Sequence, residues 1–292
     1  MVAKIRPLVP ALLAAGLLVP SGCAGGAGAP PPPPRADRFD AERAFADLRM
    51  QVRLGPRPAG SAPSRVLAER LRRALPRGRF EAVPGGLRNV VGSLPGRGGP
   101  ILVGAHYDTK DIPGFVGAND GGSSTALLME LARVLKDKPR EFTYELVFFD
   151  GEEAWGDWNT GNTFGSRHYV DAAKKAGTLA GVKAMILLDM IGERGVEIRK
   201  DLNSTSWLND IIWRAAARLG HQRTFIADTT AVEDDHLPFL KAGVPAVDLI
   251  DLDYPAWHTA GDTLDKIDPQ SLEIVGGVVV AALPDIEKRL AR

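Results

Sequence analysis

Six short polar clusters in the sequence contain carboxylate and imidazole side chains, which can bind metal ions and transfer protons. A single His or Asp in such a cluster is usually a surface or capping residue, so no cluster is informative alone. Together they offer the ligands of a catalytic zinc site, which has three protein ligands and one open position. Asp120, Glu153 and His258 supply such a trio. The clusters are His106-Tyr107-Asp108, Ala118-Asn119-Asp120, Asp150-Gly151-Glu152-Glu153, Leu188-Asp189, Glu233-Asp234-Asp235-His236 and Trp257-His258-Thr259.

The adjacent glutamates at positions 152 and 153 predict a division of labour. Neighbouring side chains diverge from an extended backbone, so both do not readily bind one ion. Glu153 is therefore predicted to bind the metal. Glu152 is predicted to carry protons, with a pKa tuned by the ion and by nearby acids; the alternative is a solvated loop charge. Asp108 could orient His106, although adjacent residues of a strand face opposite ways.

The polar clusters follow apolar runs that have the length of buried strands, at 101–105, 144–149, 182–188 and 246–250. Helical spacing of apolar residues occurs at 39–52, 64–75, 123–135, 166–176, 205–219, 236–241 and 270–291. This alternation predicts an α/β fold, a three-layer sandwich in which helices flank a mostly parallel central sheet. Ligands bind beyond the carboxyl ends of such strands, so the clusters are predicted to share one site.

The amino terminus predicts export. Lys4 and Arg6 precede an apolar run at 8–19, and small residues then lead to Cys23, the only cysteine of the chain. Residues 1–23 resemble a bacterial lipoprotein signal. Pro20 stands where such signals usually have a larger aliphatic residue, so secretion through another cleavage site stays open. We expect a periplasmic or cell-surface protein that is anchored through a lipid on Cys23.

The Cys23→Ser variant tests this anchor. If Cys23 is lipidated, the variant should move from the membrane fraction to the soluble fraction, because a serine hydroxyl cannot take the place of the modified thiol. Membrane association of the variant at the parental level, measured by fractionation and immunoblotting, would argue against lipidation.

The remaining chain divides into a tether and one long segment. Residues 24–36 are almost entirely Gly, Ala and Pro, a composition that extends without packing. Residues 37–292 follow without a second linker and predict a single catalytic domain. Lys plus Arg and Asp plus Glu number 36 each. No basic excess favours nucleic acid or an anionic membrane surface as a partner, so membrane contact is expected only through the lipid anchor.

The order of the clusters resembles that of the zinc aminopeptidases of the M28 type, over nearly the whole of residues 37–292. The segment Gly-Pro-Arg-Pro-Ala-Gly-Ser at 55–61 fits the same pattern. The resemblance implies the zinc aminopeptidase-like fold, with a mixed central sheet. In two-metal members it would make Asp120 the bridging ligand, with Glu153 and His258 on one ion and His106 and Asp189 on the other.

Within that family, the sequence is most similar to the animal-type glutaminyl-peptide cyclotransferases. The similarity implies one zinc ion, with two possible, and Glu152 as acid and base. Asp189 and Asp234 would form a carboxylate network, while Trp158 and Trp257 would line the substrate pocket. The matching segments are 106–110, 148–154, 165–168, 187–192, 234–240, 243–245 and 254–259, together with Trp158.

The implied reaction converts the N-terminal glutamine of a peptide to pyroglutamate with release of ammonia. The partners would be peptides or proteins with a free N-terminal residue, glutamine preferred. An M28-type aminopeptidase, which hydrolyses the first peptide bond, is the alternative: residues 261–267 are more similar to the peptidases, and His106 and Asp189 make a second metal site possible. A silent binding protein would have lost a ligand or the proton carrier, and the sequence retains both.

Overall fold

Helices and strands alternate along the residues that the computed structural model describes, which are 39–159 and 161–292. The predicted signal at 1–23, the tether at 24–36 and the first two residues of the predicted catalytic domain lie outside the described residues. In chain order the elements are α1 (Ala41–Val52), α2 (Ala62–Ala74), β1 (Arg79–Val83), β2 (Leu87–Leu94), β3 (Gly98–His106), α3 (Gly122–Leu135), β4 (Phe142–Phe149), α4 (Phe164–Lys175), β5 (Ala184–Asp189), β6 (Ile198–Asp201), α5 (Ser206–Leu219), β7 (Phe225–Thr230), α6 (His236–Lys241), β8 (Ala246–Ile250) and α7 (Pro269–Leu290).

Four of these strands, β3, β4, β5 and β8, correspond to the four apolar runs, and all seven helices correspond to predicted ones. The expectation of four strands was too low, because β1, β2, β6 and β7 have no continuous apolar run. Side-chain caps explain three of the helix starts. Asp40, Ser61 and Asp268 each accept a hydrogen bond from a backbone N–H in the first turn of α1, α2 and α7.

The central sheet contains six strands in the order β1-β2-β4-β3-β5-β8. β3 lies between β4 and β5 and is parallel to both, and β5 is parallel to β8. β1 pairs with β2, and β2 with β4, in antiparallel fashion. The sheet is therefore mixed and mostly parallel, which confirms the predicted α/β architecture. β6 and β7 form a separate two-stranded parallel sheet.

Alternation of side chains along the strands places apolar residues on both faces of the sheet. Ile101 and Val103 belong to a core that includes α1, α2, α3, α5 and α7. Leu102 and Val147 point the other way, into a second core with α4 and α6. Helices thus cover both faces, which completes the three layers. α7 has the length and composition of a membrane span, yet half of its apolar window is buried within the protein.

A buried arginine fixes the loop that leads from β3 to α3. The Arg57 guanidinium donates to the carbonyls of Val116 at 2.8 Å and of Gly117 and Gly55, each at 3.2 Å. Burial lowers the pKa of Arg57 to about 10, so this side chain is still charged at neutral pH. It therefore holds a loop just ahead of Asp120.

Candidate active site

The first group of site residues lies at the carboxyl ends of the neighbouring strands β3 and β5. His106 and Asp189 are the last residues of these strands, and His106 Nε2 lies 3.1 Å from Asp189 Oδ1. The same nitrogen lies 3.3 Å from Asp120 Oδ1. Asp189 Oδ1 also accepts the backbone N–H of Met190 at 2.8 Å. The parallel pairing of β3 with β5 brings these side chains to one edge of the sheet, as predicted.

The second group shares Asp120 with the first. His258 Nε2 lies 3.4 Å from Asp120 Oδ2 and 3.3 Å from Glu153 Oε2. Lys110 Nζ also lies 3.3 Å from Glu153 Oε2. Donor atoms of Asp120, Glu153 and His258 all fall within 4.8 Å of one another, a spacing that can hold a metal ion, and those of His106, Asp120 and Asp189 do the same.

Unpartnered oxygens favour a cation in the Asp120, Glu153 and His258 group. Asp120 Oδ2 and Glu153 Oε1 are buried and accept no hydrogen bond from the part of the chain that the structure describes. Burial of carboxylate oxygens without partners is costly, so such atoms normally face a donor, water or metal. Two carboxylates and one imidazole are also a ligand set that zinc accepts with a fourth position open. These residues fit a zinc ion.

Asp262 holds Asp120 in place. Its carboxylate accepts the backbone N–H groups of Asn119 at 2.8 Å and Asp120 at 3.0 Å, and the hydroxyl of Tyr254 at 2.8 Å. This role of Asp262 was not predicted from the sequence. Nothing in the sequence marks it, because the contacts are to backbone atoms more than 140 residues away along the chain.

Asp108 positions the two glutamates. Asp108 Oδ1 accepts the backbone N–H of Glu152 at 3.2 Å, and its Oδ2 accepts that of Glu153 at 3.3 Å. Asp108 Oδ1 also lies 3.6 Å from His106 Nδ1. The expectation that Asp108 faces away from His106 was wrong, because the two residues are two positions apart and alternation along an extended chain places them on the same side.

Opposite shifts in pKa separate the two glutamates. Burial raises the pKa of Glu152 well above its usual value, and the charges of Asp234 and Glu153 add to this rise against the opposing effect of His106. Burial also tends to raise the pKa of Glu153, but the hydrogen bond with His258 and the nearby positive charges bring it below the usual value. These opposite shifts favour Glu153 as a ligand and Glu152 as the group that can hold a proton.

Asp234 is buried in the segment that joins β7 to α6. Burial raises its pKa well above the usual value, and the charges of Asp189 and Asp235 act in the same direction. Asp189 and Asp234 line the same cavity. No hydrogen bond joins them directly within residues 39–159 and 161–292, so the expected carboxylate network is electrostatic in this arrangement.

These residues line a cavity of about 410 Å³, and both predicted tryptophans form part of its wall. Trp257 stacks on the His258 ring with a centroid distance of 4.3 Å. Trp158 Nε1 donates to Glu233 Oε2 at 3.3 Å, across the cavity rim. Met190 and Val232 add apolar surface. The cavity can therefore enclose one polar reacting group between aromatic and apolar walls.

Backbone strain is concentrated at this site. Four described non-glycine residues have a left-handed φ, and three of them, Thr163, Met190 and His258, lie in or beside the cavity. Such conformations cost energy and persist where surrounding contacts fix them, commonly at functional sites. His258, one of the strained residues, is a candidate metal ligand. Met190, another, is the residue whose backbone N–H contacts Asp189.

The fold and the site define the class of protein. The model of Peptidase family M28 matches residues 89–283, about two thirds of the chain, and the chain belongs to that family. Within the family it is similar to glutaminyl cyclases. It is 37% identical to the glutaminyl cyclase of an Acidobacteriales bacterium, with a TM-score of 0.79, over 90% of this chain and 100% of that chain.

Two further relatives, one named as a cyclotransferase and one as an exopeptidase, correspond to the two reactions considered above. The glutaminyl-peptide cyclotransferase of Drosophila melanogaster is 30% identical over 210 residues, which are 62% of this chain and 59% of the relative. The chain thus spans about three fifths of the length of the curated relatives it matches. A Zn-dependent exopeptidase from Parabacteroides distasonis is 26% identical, with a TM-score of 0.75, over 86% of this chain and 99% of that chain.

Proposed function

We propose that this protein is a zinc-dependent glutaminyl-peptide cyclotransferase. The observation that carries the proposal is a buried glutamate, Glu152, whose pKa is raised and which lies beside a carboxylate-imidazole group at the inner end of an aromatic-walled cavity. Similarity to glutaminyl cyclases over nine tenths of the chain supports it.

Asp120, Glu153 and His258 would hold the zinc ion. When bound, zinc supplies a Lewis acid that polarises the side-chain carbonyl of the substrate. One ion is the preferred number, since Asp120 Oδ2 and Glu153 Oε1, which accept no hydrogen bond from the described residues, both belong to this group, whereas Asp189 Oδ1 already contacts His106 and the Met190 N–H.

The reaction is internal to the substrate. The α-amine nitrogen bonds to the side-chain amide carbon, the bond from that carbon to the amide nitrogen breaks, and the nitrogen leaves as ammonia. Glu152 takes one proton from the attacking amine and gives it to the leaving nitrogen, so no external atom is added. A carboxyl group whose pKa is raised by burial suits both steps.

Other residues position Glu152, favour its protonated form and would hold the substrate. Asp108 fixes the Glu152 backbone, which sets the position of its carboxyl. Burial and the neighbouring carboxyl group of Asp234 favour the protonated form of Glu152. Trp158 and Trp257 would hold the substrate folded for attack and exclude the water that would otherwise hydrolyse it.

An aminopeptidase is the second candidate, and one observation favours it. His106, Asp120 and Asp189 form another group with metal-binding spacing. With two ions, Glu152 could instead take a proton from a water molecule that cuts the first peptide bond.

Matched peptides separate the two functions. The purified protein with zinc is incubated with a glutamine-led and a leucine-led peptide of otherwise identical sequence, and products are followed by mass against an enzyme-free control for spontaneous cyclisation. Ammonia loss from the first peptide, with the second intact, is expected. Release of free leucine without a cyclised product would replace the proposal with the aminopeptidase.

A further inference from the structure

A second cavity of about 350 Å³ adjoins the first, and the reaction proposed above does not use it. Trp158, Glu233 and Asp234 line both cavities, so the two lie on opposite sides of these residues. The hydrogen bond from Trp158 Nε1 to Glu233 Oε2 forms the ridge between them. A peptide whose first residue fills the catalytic cavity can cross this ridge with its following residues.

The floor of the second cavity is rigid and connects to the catalytic loop. The Thr163 backbone N–H donates to the carbonyl of Glu152 at 2.9 Å, although Thr163 has a left-handed φ of +47°. Thr163 Oγ1 in turn donates to Asn162 Oδ1 at 2.8 Å. A β-branched residue in this conformation is an outlier that its surroundings must hold. The floor is therefore fixed relative to the reacting groups.

Three cationic side chains line this cavity. Arg167 is fixed by hydrogen bonds from Nε to Thr163 Oγ1 at 2.9 Å and from Nη2 to Asn162 Oδ1 at 2.6 Å. Lys174, on α4, and Lys241, at the end of α6, are exposed and pair with no acid in the described part of the chain. Their charges are available to a ligand.

Three carboxylates also line this cavity, but two of them, Glu233 and Asp234, belong to the ridge that it shares with the catalytic cavity. Glu233 is engaged by Trp158, and Asp234 lies buried towards the catalytic cavity. Asp171 is the remaining carboxylate among the lining residues. Two unpaired lysines and an oriented guanidinium therefore face a peptide that enters here.

We infer that the second cavity binds the residues that follow the first one in the substrate, and that it selects peptides with acidic side chains there. This specificity rests on the proposed function. Arg167 would give a fixed anchor to a carboxylate, because its planar guanidinium is already oriented. Lys174 and Lys241 would add charge at the rim, an effect that salt should weaken.

The test compares glutamine-led peptides that carry Glu, Ala or Lys at the second, third or fourth position. The parent should prefer the Glu peptide to the Lys peptide at one or more positions by roughly three- to tenfold in kcat/KM, the scale of two or three exposed ion pairs. The difference should lie mainly in KM, since the contacts are remote from the reacting atoms, and it should shrink at high salt.

Charge reversal identifies the cavity as the cause. The Lys174→Glu and Lys241→Glu double variant should lose or invert the preference. Lys175→Glu is the matched control: Lys175 is the next residue on α4, is exposed and does not line the cavity, so that variant should keep the parental preference. Equal rates for all parent peptides, or a preference that survives the double reversal, would overturn the inference.

Failure of the proposed function looks different. If no glutamine-led peptide is cyclised, the cyclase proposal fails, and the same series with leucine first then tests the cavity through peptide-bond cleavage. If cyclisation proceeds without regard to charge after the first residue, only the specificity inference fails.

Discussion

The Glu152→Gln variant is expected to have a kcat that is roughly 10²- to 10⁴-fold lower than that of the parent, which is the usual contribution of a general acid-base group. It should keep its zinc and its fold. The amide has the same shape as the carboxyl but cannot carry the proton from amine to leaving nitrogen. The hydrogen bonds at this residue to Asp108 and Thr163 use backbone atoms, so the substitution leaves them intact. Steady-state kinetics and metal analysis of the purified variant measure both effects.

Glu145→Gln is the matched control for this variant. Glu145 lies on β4, the strand that leads to Glu152, and accepts the hydroxyl of Tyr169 at 2.6 Å, away from the catalytic cavity. The same chemical change there should leave kcat near the parental value. If Glu152→Gln retained parental turnover, Glu152 would have no part in proton transfer, and another buried acid such as Asp234 would need to take its place.

Asp120, Glu153 and His258 could be grouped from sequence because residue type and strand topology both constrain them. Each follows or approaches the carboxyl end of a strand, and parallel strands bring such ends to one edge of a sheet. The separate roles of Glu152 and Glu153 follow from the divergence of adjacent side chains. The opposite directions of their pKa shifts agree with that division.

The contacts that hold these residues in place could not be predicted in the same way. Asp108 and Asp262 act on backbone N–H groups, which every residue type has, so no pattern of side chains reveals the pairing. The contact of Asp108 with His106, in contrast, fits their spacing of two, which places both side chains on the same side of an extended chain.

Strand β2 shows the same limit for the fold. Asn89 interrupts its apolar residues and argues against a buried strand, yet its side chain is satisfied by tertiary partners. It donates to the Gly165 carbonyl at 2.9 Å and accepts the Asp150 N–H at 3.2 Å. Burial of a polar residue costs little when both its donor and its acceptor are paired. The partners come from elements distant in sequence, so the strand becomes visible only once they are assembled.

Zinc content is expected to be one ion per chain in the parent, close to none in Asp120→Asn, and one in Asp189→Asn. Asp120 belongs to both groups with metal-binding spacing, so its loss removes the site under either arrangement. Asp189 belongs only to the group with His106. Elemental analysis after dialysis gives these counts. Two ions in the parent and one in Asp189→Asn would refute the one-ion proposal and favour the aminopeptidase.

Stability should follow the metal count. An ion at a free concentration 100 times its Kd stabilises the native state by about 2.7 kcal/mol, so chelation should lower the Tm by roughly 5 to 10 °C for a domain of this size. Asp111→Asn is the control, since Asp111 is exposed on the same loop and belongs to neither group. It should respond to the chelator as the parent does. Asp120→Asn should be insensitive, because the ion that the chelator removes is one that this variant does not hold; a chelator response in Asp120→Asn would place the stabilising metal elsewhere in the protein.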